Sequence, residues 1–233
     1  MTEKPIINGG AEDQIMNGDR GAGDAEVFAK HARMRQHEIL GKPQRIPPLD
    51  RTTHGPKIVA STSALRNDVA CAELPPLPVE QCPDMIATLL RHPQLWERLS
   101  ALSAIVLGVA AKIPKPERQL AIMRTLWLCG APYQWGEHVE RTKASGFSDQ
   151  DIEKIKLGSA ANGWSGLHKA ILSATEELYA DAFISDDTWN ALSGEFDEAQ
   201  LIELIVLIGQ FTNVAYLLNS LRMRLDGSNR GFC

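Results

Sequence analysis

The chain has 233 residues, of which 44% are hydrophobic and 23% are charged, and its formal net charge is −5. This composition is ordinary for a globular protein, and the length suits one domain with an extension or two small domains. Lysine and arginine are scattered along an acidic chain, which argues against nucleic acid as a partner. The longest strongly apolar run, residues 201–208, contains Glu203 and is too short to cross a bilayer, so no membrane association is expected.

The four cysteines, Cys71, Cys82, Cys129 and Cys233, form no Cys-x-x-Cys pair. The spacing therefore argues against a zinc ribbon or a thioredoxin-like motif, and we expect no metal site. The first twenty residues are polar and do not have the pattern of a signal peptide. A cytoplasmic protein is the expectation that follows.

Residues 1–44 are interpreted as an N-terminal extension, since glycines interrupt them repeatedly. A short helix over 24–40 would carry too little apolar surface to form a core alone, so this extension is expected to be flexible or docked on another surface. Prolines are frequent in 45–50 and 74–78, and a residue before proline is pushed out of the helical region. These two stretches predict a non-helical connector over 45–78.

From residue 79 onward the apolar residues recur with helical spacing. Ser148, Ser185 and Asp197 are predicted helix N-caps, and Asp151 three residues after Ser148 completes a capping box. The last helix is predicted from Asp197 to about residue 225. No segment shows the sustained alternation of a strand, so the sequence predicts an all-α bundle of about eight helices.

The candidate site is the helical segment 132–139, which carries His138. Gln134 and Trp135 lie four and three residues before His138 and share its side of the helix, and Tyr133 lies at the helix start. An imidazole suits proton transfer because its pKa is close to neutrality. The alternative is a histidine with a purely structural role. Glu137 is expected on a different face, as a solvated carboxylate.

Other polar residues have both a functional and a structural interpretation. Gln210 and Asn213, three apart in the last helix, would line the pocket opposite His138 or form hydrogen bonds between helices. Arg118 and Arg124 would pair with a substrate carboxylate or form structural ion pairs. His168 is expected at the surface.

Several ordered blocks resemble the carboxymuconolactone decarboxylase family, whose fold is shared with alkylhydroperoxidase D. They are residues 118–124, 128–138, 146–152, 172–178, 184–189, 197–204 and 209–213. The resemblance covers about 45–225 and leaves 226–233 as a C-terminal tail. It implies an alkylhydroperoxidase D-like helical bundle that assembles as a homo-oligomer, either a dimer, a trimer or a hexamer.

The redox branch of that family has a glutamate followed by Cys-x-Tyr-Cys-x-x-x-His. By position, Tyr133 and His138 match this motif, whereas Ala131 and Gln134 stand at the two cysteine positions and Gln119 stands at the glutamate position. A peroxidase or disulfide reductase needs an attacking thiolate and a resolving thiol, so neither activity is expected. Cys129 lies nearby and is interpreted as a small buried hydrophobic residue.

The cysteine-free branch implies an enzyme without metal or organic cofactor. We therefore expect a lyase that decarboxylates a carboxylated lactone or related cyclic acid, with His138 as general acid/base and Tyr133 and Gln134 orienting the ring or the substrate. The expected substrate-binding residues are Trp135, Arg124, Gln119, Gln210 and Asn213. Two alternatives stay open: an isomerase, dehydratase or cyclase of a similar small metabolite, and a non-catalytic oligomer that binds a small ligand.

Overall fold

The computed structural model describes residues 21–232, and within this range it contains helices and no strand. The predicted all-α fold is therefore confirmed, whereas the polar residues 1–20 lie outside the described part. The α-helices are α1 Gly21–Leu40, α2 Arg51–Ala70, α3 Asp84–Leu89, α4 Pro93–Leu107, α5 Lys115–Leu128, α6 Pro132–Lys143, α7 Asp149–Leu157, α8 Gly166–Asp181, α9 Asp186–Ser193 and α10 Glu198–Leu221. Short 3-10 turns at Val79–Gln81 and Gly158–Ala160 precede α3 and follow α7.

Helix α2 corrects the predicted non-helical connector. The Asp50 carboxylate caps its N-terminus by accepting from the Thr53 backbone N–H at 2.9 Å. The sequence hides this helix because Pro56 lies inside it and its apolar residues form no clear stripe. Tertiary packing stabilises it instead, since Ile58 is fully buried in an apolar cluster with residues of α3 and α4.

The predicted N-cap residues are confirmed at three helix starts. Ser148 and Asp151 form the expected capping box at α7, and Ser185 caps α9. Asp197 forms a second capping box with Gln200 at α10. Helix α10 is shorter than predicted, because it ends at Leu221 and Arg222 follows in the left-handed conformation with φ 55°.

Helix α5 is the centre of the bundle, and every residue from Arg118 to Leu128 is buried. It packs against α6, α8 and α10. Its two arginines both bond to backbone carbonyls of neighbouring segments. Arg118 donates to Val106 and Gly108 at 3.1 and 3.0 Å, and Arg124 donates to Ile155 at 3.1 Å. The site helix α6 is thus held against a rigid core element.

The segment after α10 folds back over α6. The Asn229 side chain donates to the Tyr133 carbonyl at 2.8 Å, and its Oδ1 accepts from the Gly231 backbone N–H. Gly136 leaves the room for this contact, because a Cβ added there would lie 1.8 Å from Asn229 Oδ1. The predicted tail, residues 226–233, is therefore packed against the site helix over its described part.

Within the described residues, helix α10 is long and apolar enough to cross a membrane, with a mean hydropathy of 1.8 over its most apolar window. Its inner residues Leu204, Leu207, Phe211 and Ala215 lie in the core of the bundle. A central helix of a bundle shows the same pattern.

Candidate active site

A cavity of about 380 Å³ lies between α6, α10 and the group formed by α2, α3 and α4. Gln134, Glu137, His138 and Arg141 line it from α6, at the i, i+3, i+4, i+7 spacing that places side chains on one helix face. The other walls are mostly apolar and are formed by Leu65, Leu77, Met85, Ile86, Leu89, Trp96, Leu99, Leu107, Phe211 and Val214. An apolar cavity with a few converging polar groups is typical of a small-molecule site.

The His138 ring is held in one orientation. Its Nδ1 lies 3.0 Å from Oε1 of Gln119, a buried residue of α5. Because a carbonyl oxygen only accepts, this contact assigns the proton to Nδ1 and leaves Nε2 with a free lone pair. The ring also packs edge-on against Phe211, with centroids 5.1 Å apart. Gln119 thus acts behind the imidazole, and its predicted contact with the substrate is not observed because it does not line the cavity.

Burial sets the protonation state of His138. It lowers the pKa of the ring well below the ordinary value of 6.5, and the charge of Arg141 lowers it further. The imidazole is therefore neutral near pH 7. A neutral ring with Nδ1 occupied presents Nε2 as a proton acceptor on the wall of the cavity.

Tyr133 lines the same cavity, but its hydroxyl is directed to the C-terminal segment. It donates to Oδ2 of Asp226 at 2.8 Å. Burial raises the pKa of Tyr133, and the Asp226 charge raises it further, so the phenol stays protonated. Burial also raises the pKa of Asp226, against the hydrogen bond from Tyr133 that lowers it. Gln119, and not Tyr133, therefore orients the His138 ring. Tyr133 holds the C-terminal segment beside the cavity through Asp226.

Two buried amides line the cavity. The side chain of Gln210 is held by a hydrogen bond, since its Nε2 donates to Ser103 Oγ at 3.2 Å. Gln134 is 6% exposed, and within the described residues its Oε1 has no hydrogen-bond partner. A buried acceptor without a partner is costly, so Gln134 offers a place for a donor on a ligand.

Three predicted substrate-binding residues lie outside this cavity. Trp135 packs against the C-terminal segment, with its ring 5.7 Å from that of Phe232. Arg124 is buried in an ion pair with Glu176 at 2.9 Å and donates to two backbone carbonyls. Asn213 is exposed on the outer face of α10. The structure therefore does not bring these three side chains together with His138 around the cavity, since each has structural contacts or lies at the surface.

Other charged groups line the cavity that were not predicted from the sequence. Glu137, predicted as a solvated carboxylate, faces the cavity, and its Oε1 accepts from Asn229 Nδ2 at 3.1 Å. Glu137 follows Gln134 by three residues and Arg141 follows His138 by three. This spacing places each pair on one helix face and so indicates both residues from the sequence. Arg66 comes from α2, where no local pattern was available.

None of the three described cysteines lines the cavity, and all three are free. Burial raises the pKa of Cys129 to about 11, so its thiol is protonated near neutral pH. His168, as expected, does not face the site. It lies in a separate surface notch, 3.6 Å from Glu117.

No family model matches the sequence, and no curated protein is similar to it. Solved structures with the same fold do match. A protein of unknown function from Agrobacterium tumefaciens, described as a candidate antioxidant defence protein AhpD, is 17% identical with a TM-score of 0.55, and the match covers 60% of this chain and 96% of that one.

The debrominase Bmp8 is 14% identical with a TM-score of 0.63, covering 81% of this chain and 95% of its own. A cysteine-to-alanine variant of Bmp8 in complex with 2,3,4-tribromopyrrole gives a TM-score of 0.64. These matches confirm the predicted resemblance at the level of the fold. The chain is an all-α protein of the AhpD-like helical fold, which carboxymuconolactone decarboxylases share.

Proposed function

We propose that this chain is a cofactor-independent lyase that decarboxylates a small carboxylated lactone or related cyclic acid, with His138 as the general acid/base. The observation that carries the proposal is a buried, neutral imidazole whose Nδ1 is fixed by Gln119 and which lines an apolar cavity of about 380 Å³. We place the enzyme in the cytoplasm as a soluble protein.

The chemistry begins with Nε2 of His138 as a base. It accepts the proton of the substrate carboxyl group, whose neutral acid form the apolar walls favour. The bond between the ring carbon and the carboxyl group then breaks, CO2 leaves, and the electron pair remains on the ring as an enolate. The imidazolium returns the same proton to the ring carbon, and its low pKa favours this return.

The size of the cavity and the comparisons agree with a ring-shaped ligand. Bmp8 is named as a debrominase and was obtained with a substituted pyrrole, so this fold accommodates a small ring. Thiol chemistry at His138 is not part of the proposal, because Ala131 and Gln134 stand at the cysteine positions of the redox motif. Acid/base catalysis requires neither a metal nor an organic cofactor.

The test is a panel of carboxylated lactones and cyclic keto acids, assayed for released CO2 with the wild-type protein and His138→Ala. Wild type is expected to release CO2 from at least one member, and the variant to lose at least about a hundredfold in kcat with an unchanged circular dichroism spectrum. Arg33→Gln, at an exposed position on α1, is the matched control and keeps full activity. Full turnover by His138→Ala overturns the assignment.

A second candidate is isomerisation, dehydration or cyclisation of a similar cyclic metabolite. It is favoured by the protonation state of His138, since a neutral ring removes a proton before it delivers one. The same panel separates the two, because these reactions convert substrate without releasing CO2. A non-catalytic binder is less supported, since the cavity carries a free base and an unpaired amide oxygen.

A further inference from the structure

Two arginines line the cavity without an acidic partner. Arg66 donates to the Pro75 carbonyl at 2.9 Å, and within the described residues neither Arg66 nor Arg141 forms an ion pair. Other arginines do have such partners, for example Arg51 with Asp84 at 2.5 Å. An unpaired guanidinium on a cavity wall is suited to an anionic ligand.

The charge of the cavity lining is opposite in sign to that of the chain. Arg66 and Arg141 contribute two positive charges, Glu137 contributes one negative charge, and His138 is neutral, which leaves one positive charge. The whole chain carries −5. A positive cavity in an acidic protein concentrates small anions at its opening.

The arginines lie at the outer end of the cavity. Arg141 is exposed and Arg66 is half-buried, whereas His138 and Gln134 are buried. On α6, Arg141 follows His138 by three residues, about 4.5 Å along the helix axis, and Gln134 precedes it by four. Arg141 and Gln134, whose Oε1 is unpaired within the described residues, therefore lie on either side of His138 along one helix face.

We propose that the cavity binds a small cyclic ligand that carries two recognition groups. An anionic group, such as a carboxylate, pairs with Arg66 and Arg141, and a hydroxyl or N–H group donates to Gln134 Oε1. The ring then spans the apolar walls beside His138. This ligand class deepens the proposed function and rests on it only for the reaction.

The anionic group is one that the reaction retains. A cation paired with the departing carboxylate would stabilise the ground state and slow the loss of CO2. The departing carboxyl group therefore lies in the apolar part beside His138, and the arginines hold a second acidic group. A decarboxylation substrate would thus be a diacid, whereas an isomerisation substrate needs only the retained group.

The experiment measures binding by isothermal titration calorimetry and needs no turnover. The probes are 4-hydroxybenzoate, benzoate and 4-hydroxybenzamide, which share a ring and differ in the charge or the hydroxyl. The proteins are wild type, Arg66→Gln/Arg141→Gln, Gln134→Leu and His138→Ala, with Arg33→Gln as a control for loss of a surface charge. Circular dichroism verifies the fold of each variant.

Wild type is expected to bind 4-hydroxybenzoate at least about tenfold tighter than 4-hydroxybenzamide, and the double arginine variant to lose that difference. Gln134→Leu should lose the preference for 4-hydroxybenzoate over benzoate while keeping the preference for charge. Equal binding of acid and amide, an unaffected double variant, or no binding of any probe at millimolar concentration overturns the proposal. His138→Ala is expected to keep binding, so a failure of catalysis alone leaves the ligand class standing.

Discussion

Two side chains from different helices hold the His138 ring, namely Gln119 of α5 through Nδ1 and Phe211 of α10 through its ring face. Thr142, one turn further along α6, donates to the His138 carbonyl at 2.7 Å. A fixed ring loses little entropy when it transfers a proton. The orientation of Nε2 is thus a property of the core and not of a mobile loop.

Removal of the Gln119 amide should release the tautomer of His138. In Gln119→Leu the donor Nδ1–H has no acceptor, so we expect a mixture of tautomers and a loss of about tenfold or more in kcat with little change in KM. Nitrogen-15 NMR of the imidazole measures the tautomer directly. Thr125→Val, a buried change on the same helix, is the control, and a single unchanged tautomer in Gln119→Leu would disprove the role of the amide.

The lowered pKa of His138 predicts a dependence of stability on pH. Below pH 6.5 the unfolded chain takes up a proton on His138 that the folded ring does not. The free energy of unfolding therefore decreases as the pH is lowered, until the pKa of the folded ring is reached. The loss is up to about 1.4 kcal/mol for each pH unit. Urea unfolding between pH 8 and pH 5 should show a shallower loss in His138→Gln than in wild type, but no such change in the exposed His37→Gln. Parallel curves for wild type and His138→Gln would contradict the buried neutral ring.

At the scale of elements, the features predicted correctly from the sequence are those that depend on residues close together in the chain, such as helix starts. The capping box at Ser148 and the N-cap at Asp197 involve residues close in sequence, so both were visible without the fold. Helix α2 and the packed segment after α10 depend on distant contacts, such as Ile58 in the apolar cluster and Asp226 on Tyr133. His138 was predicted as a site residue because its neighbours on α6 are local in sequence. Arg66 lies on the distant helix α2, so only the structure shows that it lines the same cavity.

The packing of the C-terminal segment on α6 has a specific test. In Gly136→Ala the new Cβ would meet Asn229 Oδ1 and the Gly231 backbone N, so the segment must move. We expect a loss of about 1–3 kcal/mol in the free energy of unfolding and faster proteolysis of the C-terminus. Gly166→Ala is the control, because an added Cβ there contacts nothing within 4 Å. Equal stability of the two variants would show that the segment does not depend on this contact.

At the scale of the whole molecule, the outer face of α10 is mostly apolar, and no other part of the chain that the structure describes covers it. Ile202, Val206, Gly209, Asn213 and Tyr216 are exposed and follow the 4-3-4-3 spacing of a helix-pairing seam. Ile202 and Tyr216 lie seven residues to either side of Gly209, where an added Cβ would meet nothing within 4 Å. This arrangement suits an antiparallel pair of α10 helices from two copies that cross at the glycine.

We therefore expect the chain to form a homo-oligomer through α10, in which the dimer is the unit. A glutamate in the seam would bury a charge, so Val206→Glu should shift the protein to monomers in sedimentation velocity at micromolar concentration. Lys169→Glu, an exposed change on α8, should leave the assembly intact. A wild-type protein that sediments as a monomer would refute the pairing.

Proton transfer by His138 is tested most directly by deuterium incorporation. Wild type and His138→Asn are incubated in D2O with the panel of cyclic acids, and carbon-bound deuterium in product or recovered substrate is followed by NMR. Wild type is expected to incorporate deuterium and the variant none above background, whether the reaction is a decarboxylation or an isomerisation. Equal incorporation by two proteins with the same circular dichroism spectrum would contradict it.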